Sequence, residues 1–391
     1  MTYAVNAAVA RIEAPPIMEA QSWIRPGLRN RALLNLCQAV PSYPPAAELD
    51  EEVARIARVP GTSLYTDIFG IAELRSTLAA HMAADYEGRI SADEVCITSG
   101  CNQAFAATVM ALAKPGDNVI VPVPYFFNHT MWLAMLGIEA RFVPAFGDGH
   151  AWPQVADAAA LIDDRTRAIV LCSPNNPSGA IYPPHVIDAF FDLAIERGIA
   201  LVIDETYKDF RANPAPPHGI FARANWQDGF VHLYSFSKVF SMTGYRVGSI
   251  IAGTRFLGEI EKILDCMSIC APHISQRAAL FGLTSLDQWK RQKIGLMRGR
   301  LEALRQAFAR PGLRYKLESS GALFAYVRHP FQGEAAKQVA QRLAGEHDVL
   351  CLPGSMFGPG QEQHLRVAFA NAEATDMEIL VDRLMESQGS R

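Results

Sequence analysis

Between residues 94 and 253 the chain repeats one rhythm: short apolar runs rich in valine and isoleucine, separated by longer amphipathic stretches. The runs are EVCIT (94–98), NVIVPVP (118–124), EARFVP (139–144), RAIVLCSP (167–174), IALVIDE (199–205), FVHLYSFS (230–237) and VGSIIAG (247–253). Several are nearly continuous in hydrophobicity, which suits strands buried on both faces. The intervening segments, such as NQAFAATVMALAK (102–114) and PHVIDAFFDLAIERG (184–198), carry helical periodicity. A strand–helix–strand rhythm of this kind predicts an α/β fold with a doubly wound, mostly parallel seven-stranded sheet. VGSIIAG follows its predecessor after a short glycine-containing loop and is expected to run antiparallel. Beyond it, a charged helical stretch (286–310) stops at Pro311-Gly312, and a strand-rich α+β pattern follows in GALFAYVRH, VLCLPG and HLRVAFA. The chain is thus expected to divide into an N-terminal segment (1–48) packing with a smaller domain, a large domain (49–285) and a small α+β C-terminal domain (286–391).

Composition narrows the function classes. A net charge of −4 gives no electrostatic case for nucleic acid, and no apolar run approaches the roughly 18 residues of a membrane span. Seven cysteines lie scattered in apolar segments, a pattern of reduced core thiols rather than a disulfide framework. With no basic-then-apolar leader at the start, the expected location is cytoplasmic. Cys266, Cys270 and His273 share helical spacing, but Pro272 interrupts them and no fourth ligand is near, so no metal site is expected.

The polar residues at the strand ends carry the chemistry, because open α/β sheets bind ligands there. EVCIT runs into Ser99-Gly100-Cys101-Asn102 and a helix; RAIVLCSP into Asn175-Asn176; IALVI into Asp204 and then Tyr207; FVHLY into Ser235, Ser237, Lys238 and Arg246. A desolvated lysine becomes nucleophilic, a lone carboxylate can hold a heterocyclic nitrogen protonated, and a helix N-terminus with serines and an arginine can hold a phosphate. That is a parts list for pyridoxal 5′-phosphate.

The sequence resembles the class I/II aminotransferases of pyridoxal-phosphate fold type I, the aspartate aminotransferase-like enzymes, from about residue 33 to residue 370. SFSKVFSMTGYRVG, SPNNPSG and DETYKDF match the family's lysine, Asn-Pro and Asp-x-x-Tyr motifs. The resemblance implies that Lys238 forms the Schiff base and shuttles the substrate proton, that Asp204 pairs with the pyridine nitrogen, and that Asn176 and Tyr207 bond the phenolate oxygen. It assigns the phosphate to Gly100, Cys101, Asn102, Ser235, Ser237 and Arg246, and a ring contact to Phe126. Cys101 stands where small or hydroxyl residues are more usual in the family. Tyr65 is implied to reach the phosphate of a partner subunit in a homodimer with shared active sites. Arg366, with Asn176, is implied to hold the substrate carboxylate, and Ala39 lines that side where many relatives have glycine. The expected reaction is ping-pong transfer of an amino group from an amino acid to a 2-oxo acid. The alternative on the same scaffold is a carbon–sulfur β-lyase or a related eliminating enzyme. A dinucleotide oxidoreductase lacks its G-x-G-x-x-G here, and a DNA-binding sensor lacks a basic helix-turn-helix. Neither Arg25 nor Arg277 can be assigned from sequence to a second substrate carboxylate.

Overall fold

In a computed structural model the described residues are 3–25, 31–147 and 149–389; the outermost ends of the two terminal segments expected above, and residues 26–30 and 148, lie outside them. Among the described residues a short strand, β1 (Leu34–Asn35), precedes seven that form one sheet. These are β2 (Val95–Thr98), β3 (Asn118–Val123), β4 (Glu139–Pro144), β5 (Thr166–Cys172), β6 (Ala200–Asp204), β7 (Phe230–Ser235) and β8 (Gly248–Ala252). Their order across the sheet is β2-β8-β7-β6-β5-β3-β4. All neighbours pair in parallel except β8, which is antiparallel to both β2 and β7.

Alternation along the strands explains why these runs looked continuous. Ile97, Ile120, Ile169, Leu171, Leu201 and Ile203 enter one core, while Cys96, Val119, Val121, Val170, Val202 and Leu233 enter another on the opposite face. Each strand is therefore buried twice, as a helix-covered parallel sheet must be. The edge strand β4 is the exception, with Phe142 exposed.

A second sheet, of four antiparallel strands in the order β12-β13-β10-β9, comprises β9 (Lys316–Gly321), β10 (Phe324–Arg328), β12 (Leu352–Pro353) and β13 (His364–Ala368). Its core joins Leu304 of the 22-residue helix Asp287–Phe308 to Val327, Leu343, Leu365 and Leu380. β11 (Val349–Leu350) pairs in parallel with β1. Between Cys266 and His273 one helix ends at Ile269 (φ 63°) and the next begins after Pro272, so the cysteines and the histidine share no helical face.

One contact ties the two sheets together near the strand ends. Gly179, at φ +71°, closes the loop after β5, and Gly321 ends β9. A Cβ on Gly179 would lie 2.4 Å from the Gly321 nitrogen, and a Cβ on Gly321 would lie 2.3 Å from the Gly179 oxygen. Only glycine permits that approach at either position. Among the described residues no helix is long and apolar enough to cross a membrane.

Candidate active site

The C-terminal ends of β2, β5, β6 and β7 open on one cavity of about 440 Å³. That volume suits a cofactor with a small substrate. Each wall is built by a local rule. After β5, Asn175 folds its side chain inward, and its Oδ1 accepts from Ser178 N (3.1 Å) and Ser178 Oγ (2.8 Å). This Asx turn pins the loop and leaves Asn176 for the cavity. At the end of β7, Ser235 caps the short helix Phe236–Val239, accepting from Ser237 N at 3.2 Å, and this cap sets Lys238 on the cavity wall.

Lys238 is partly buried, and its Nζ donates to the backbone oxygen of Ala39 at 2.9 Å. Burial, then the positive charges of Arg246 and Arg366, push its amine down to about 8, against the opposing pull of Asp204. Asp204, at the end of β6, is buried; its Oδ1 accepts from Thr206 N at 3.0 Å, and His129 Nε2 lies 3.2 Å from its Oδ2. Burial alone would raise this carboxyl, but the bonds from His129 and Thr206 outweigh it and hold the group below its ordinary range. Asp204 is thus an anion at neutral pH.

Arg366 comes from the second sheet and is 2% exposed. Its Nη1 donates to Asn176 Oδ1 at 3.2 Å, its Nη2 donates to the Cys37 oxygen, and its carbon lies over the Phe357 and Phe324 rings. Burial lowers it to about 10. Among the described residues no carboxylate pairs with Lys238, Arg246 or Arg366. A buried guanidinium without an anion is costly unless the anion arrives as ligand.

The opposite end of the cavity begins at Gly100, the N-cap of helix Cys101–Leu112. Gly100 has φ +86°, and a Cβ there would sit 2.3 Å from Arg246 Nη2. The missing side chain lets the guanidinium lie against the first helical turn, whose N–H groups have no partner within the helix. Ser235, Ser237 and Thr243 line the same end. Arg246 itself holds a left-handed backbone (φ 53°, ψ 63°) and donates to the Thr243 oxygen at 3.0 Å. Burial and the Asp204 charge push the Cys101 thiol well up, so this residue adds no charge beside the anion site.

Of the residues to which the resemblance assigned a role, all line this cavity except Gly100, which borders it, and Tyr65; Ser99 and Asn175, named at the strand ends, do not line it. Tyr65 is 76% exposed and away from the cavity of its own chain. Tyr207 is buried edge-on to Phe324 at 5.1 Å, and burial raises its phenol. Phe126 starts the helix Phe127–Met135 and meets His129 edge-on at 5.3 Å. His129 and Thr206 escaped the sequence reading. His129 stacks on Phe105 (4.1 Å, 25°) and so is locked facing Asp204; its only sequence signal is its place one helical turn after Phe126. Arg25 lies against Gly345, and Arg277 pairs with Glu73 at 3.4 Å; neither lines the cavity.

A family profile described as aminotransferase class I and II matches residues 31–384, and the chain belongs to that family. It is similar to the aspartate aminotransferase of Thermotoga maritima (29% identical over 360 residues, 92% of each chain). It is also similar to the arginine–pyruvate transaminase AruH of Pseudomonas aeruginosa (30% over 322 residues, 78% of each) and the aromatic aminotransferase ISS1 of Arabidopsis thaliana (29% over 363 residues, 90% of this chain and 88% of the relative). Among solved structures, a mutant aspartate aminotransferase of Thermus thermophilus superposes with a TM-score of 0.89 over 98% of this chain and 100% of its own, at 24% identity. The protein is an amino-acid aminotransferase, and its family uses pyridoxal 5′-phosphate. The residues present fit that cofactor: a buried anion, a lysine with a depressed pKa and a glycine-opened cradle for an anion share one cavity.

Proposed function

We propose that the chain transfers the amino group of an amino acid to a 2-oxo acid in two half-reactions with ping-pong kinetics, Lys238 serving as covalent anchor and proton carrier. One observation carries this reading: Lys238 and Arg366 face a cavity with the anionic Asp204, and neither cation has a carboxylate of its own. Pyridoxal 5′-phosphate supplies the electron sink for charge left on the substrate's Cα. Asp204 holds the cofactor's ring nitrogen protonated, with His129 fixing the carboxylate. Asn176 and Tyr207, which line the cavity, would bond the phenolate oxygen, and Phe126 would lie against the ring. The phosphate is held by the N–H groups at Gly100, Cys101 and Asn102, by Ser235 and Ser237, and by Arg246. Arg366, beside Ala39 and Asn176 on the cavity wall, would grip the α-carboxylate through its planar fork and so turn the substrate's Cα–H toward Lys238. With an amine pKa of about 8, Lys238 Nζ can accept and return that proton near neutrality.

Tyr65 reaches the phosphate of a second copy, so the working unit is a homodimer; its 76% exposure supports this. Residues 49–285 form the cofactor domain, and 1–48 join 286–391, a division supported by the β1–β11 pairing. The cytoplasm is the proposed location, supported by seven cysteines without a disulfide.

The test is Lys238→Ala. Turnover is expected to fall about 10⁴-fold while the protein still binds cofactor. Near-normal turnover overturns the role of Lys238, and intersecting rather than parallel initial-rate lines for the unaltered enzyme overturn the ping-pong order.

A further inference from the structure

The three similar enzymes act, by their names, on amino donors of different charge, so the family alone leaves the donor class open. The cavity lining is more discriminating. Its cations are Lys238, Arg246 and Arg366, and its anion is Asp204; the reading above uses all four. Cys172 and Thr206 belong with Asp204 and Thr243 with Arg246; beyond these and the residues already given roles, the apolar wall is made by Pro15 and Ile17 of the N-terminal segment, Val40 after β1, and Phe127. Gln38 and Asn128 add only neutral polar groups.

This wall is a built surface. Ile17 and Phe127 pack on the apolar cluster of Ala20, Leu352 and Phe357, so the N-terminal helix Pro16–Gln21 is seated over the cavity by burial. The segment around Tyr65, proposed to meet a second copy, carries apolar surface beside the exposed Asp67, whose carboxylate is turned back to accept from Phe69 N at 2.8 Å. Leu64, Met267 and Ile269 are exposed there, and Thr66 N donates to Cys270 Sγ at 3.4 Å, joining the two stretches.

We infer that the amino donor is an amino acid with a neutral, predominantly apolar side chain, selected by the Pro15–Ile17–Val40–Phe127 wall against both dicarboxylic and basic donors. This rests on the aminotransferase reading of the same site. A second carboxylate or a side-chain cation would meet a half-buried wall that, among the described residues, offers no counter-charge of its own, and desolvating a charge there without a partner is disfavoured. Rejection by an unpaired charge is a stronger filter than attraction by apolar contact.

The experiment uses holoenzyme mixed with single amino acids, following the cofactor's absorption through one half-reaction. Leucine, methionine or phenylalanine is expected to convert it with a rate per concentration at least about 100-fold above aspartate, glutamate, arginine and lysine. In parallel, calorimetry on the holoenzyme is expected to find 4-methylpentanoate bound at least tenfold more tightly than succinate. Ile17→Arg is expected to move the aspartate-to-leucine ratio at least tenfold toward aspartate, and Val40→Lys is the second variant should the first fail to fold. Conversion by aspartate or arginine at a rate equal to or above leucine overturns the donor class while leaving amino transfer intact. Succinate binding as tightly as 4-methylpentanoate also overturns it. No conversion with any donor overturns amino transfer itself, and the inference with it.

Discussion

Two lysines stand beyond neighbouring strands of the large sheet, and their surroundings drive them in opposite directions. Lys208 follows β6 and is almost fully buried; its Nζ lies 2.5 Å from Asp85 Oδ2 and 3.4 Å from Asp209 Oδ1, over the Tyr234 ring at 5.2 Å. Lys238 follows β7 and has only the Ala39 carbonyl. Burial favours the neutral amine in both. At Lys208 the charges of Asp209 and Asp85 reverse the effect and raise the pKa; at Lys238 the charges of Arg246 and Arg366 reinforce it. Burial alone therefore does not make a lysine reactive. The sign of its neighbours does.

The strongest way to break this contrast is Arg366→Met. The variant is expected to lose about 1000-fold in kcat/KM, about 4 kcal/mol, because the substrate carboxylate loses its buried partner. It should also move the Lys238 titration upward, since one of the charges depressing it is gone; an unmoved pH profile would remove Arg366 from the account of Lys238. Next is Lys208→Met, which strands Asp209 in the interior. Stability in urea should fall by about 3 kcal/mol with kcat little changed. A stable variant with lost turnover would reverse the roles assigned to the two lysines.

A pH series sharpens the contrast. With its pKa lowered to about 8, Lys238 carries a neutral amine above pH 8 and loses it tenfold per unit below. When pyridoxal 5′-phosphate is added to cofactor-free protein and trapped with borohydride, labelling of Lys238 should rise about tenfold from pH 6 to 7 and level off beyond pH 8. Peptide mapping should leave Lys208 unlabelled throughout. The smallest effect is expected from His129→Phe, which removes one bond to Asp204 and should weaken cofactor binding about fivefold, measured at equilibrium.

The same contrast separates what was legible in the sequence from what was not. The large sheet was readable because β3, β5, β6 and β7 are filled on both faces, which leaves an unbroken apolar run in the sequence. β9, KLESSG, was missed: its residues are mostly exposed or half-buried serines and charges, and nothing in such a run distinguishes an edge strand from a loop. Lys238, Asp204 and Asn176 could be found because each stands at or within four residues beyond a strand's end, inside a compact motif. His129 could not, since its role exists only where the helix after Phe126 meets the end of β6. The buried Glu205 cluster is equally silent in sequence: Tyr86, His218 and His232 converge on its carboxylate from distant parts of the chain.

The Gly179–Gly321 contact has a bearing on how the site keeps its alignment. On one side of it stands the loop that presents Asn176 to the cavity; on the other lies the sheet that carries Arg366 to the same cavity. The two walls of the cavity are thus referenced to each other through main-chain atoms touching main-chain atoms, with no rotamer between them to absorb or transmit slack. A single added methyl group at either glycine would push Asn176 and Arg366 out of register, because the atoms it would strike first belong to the main chain.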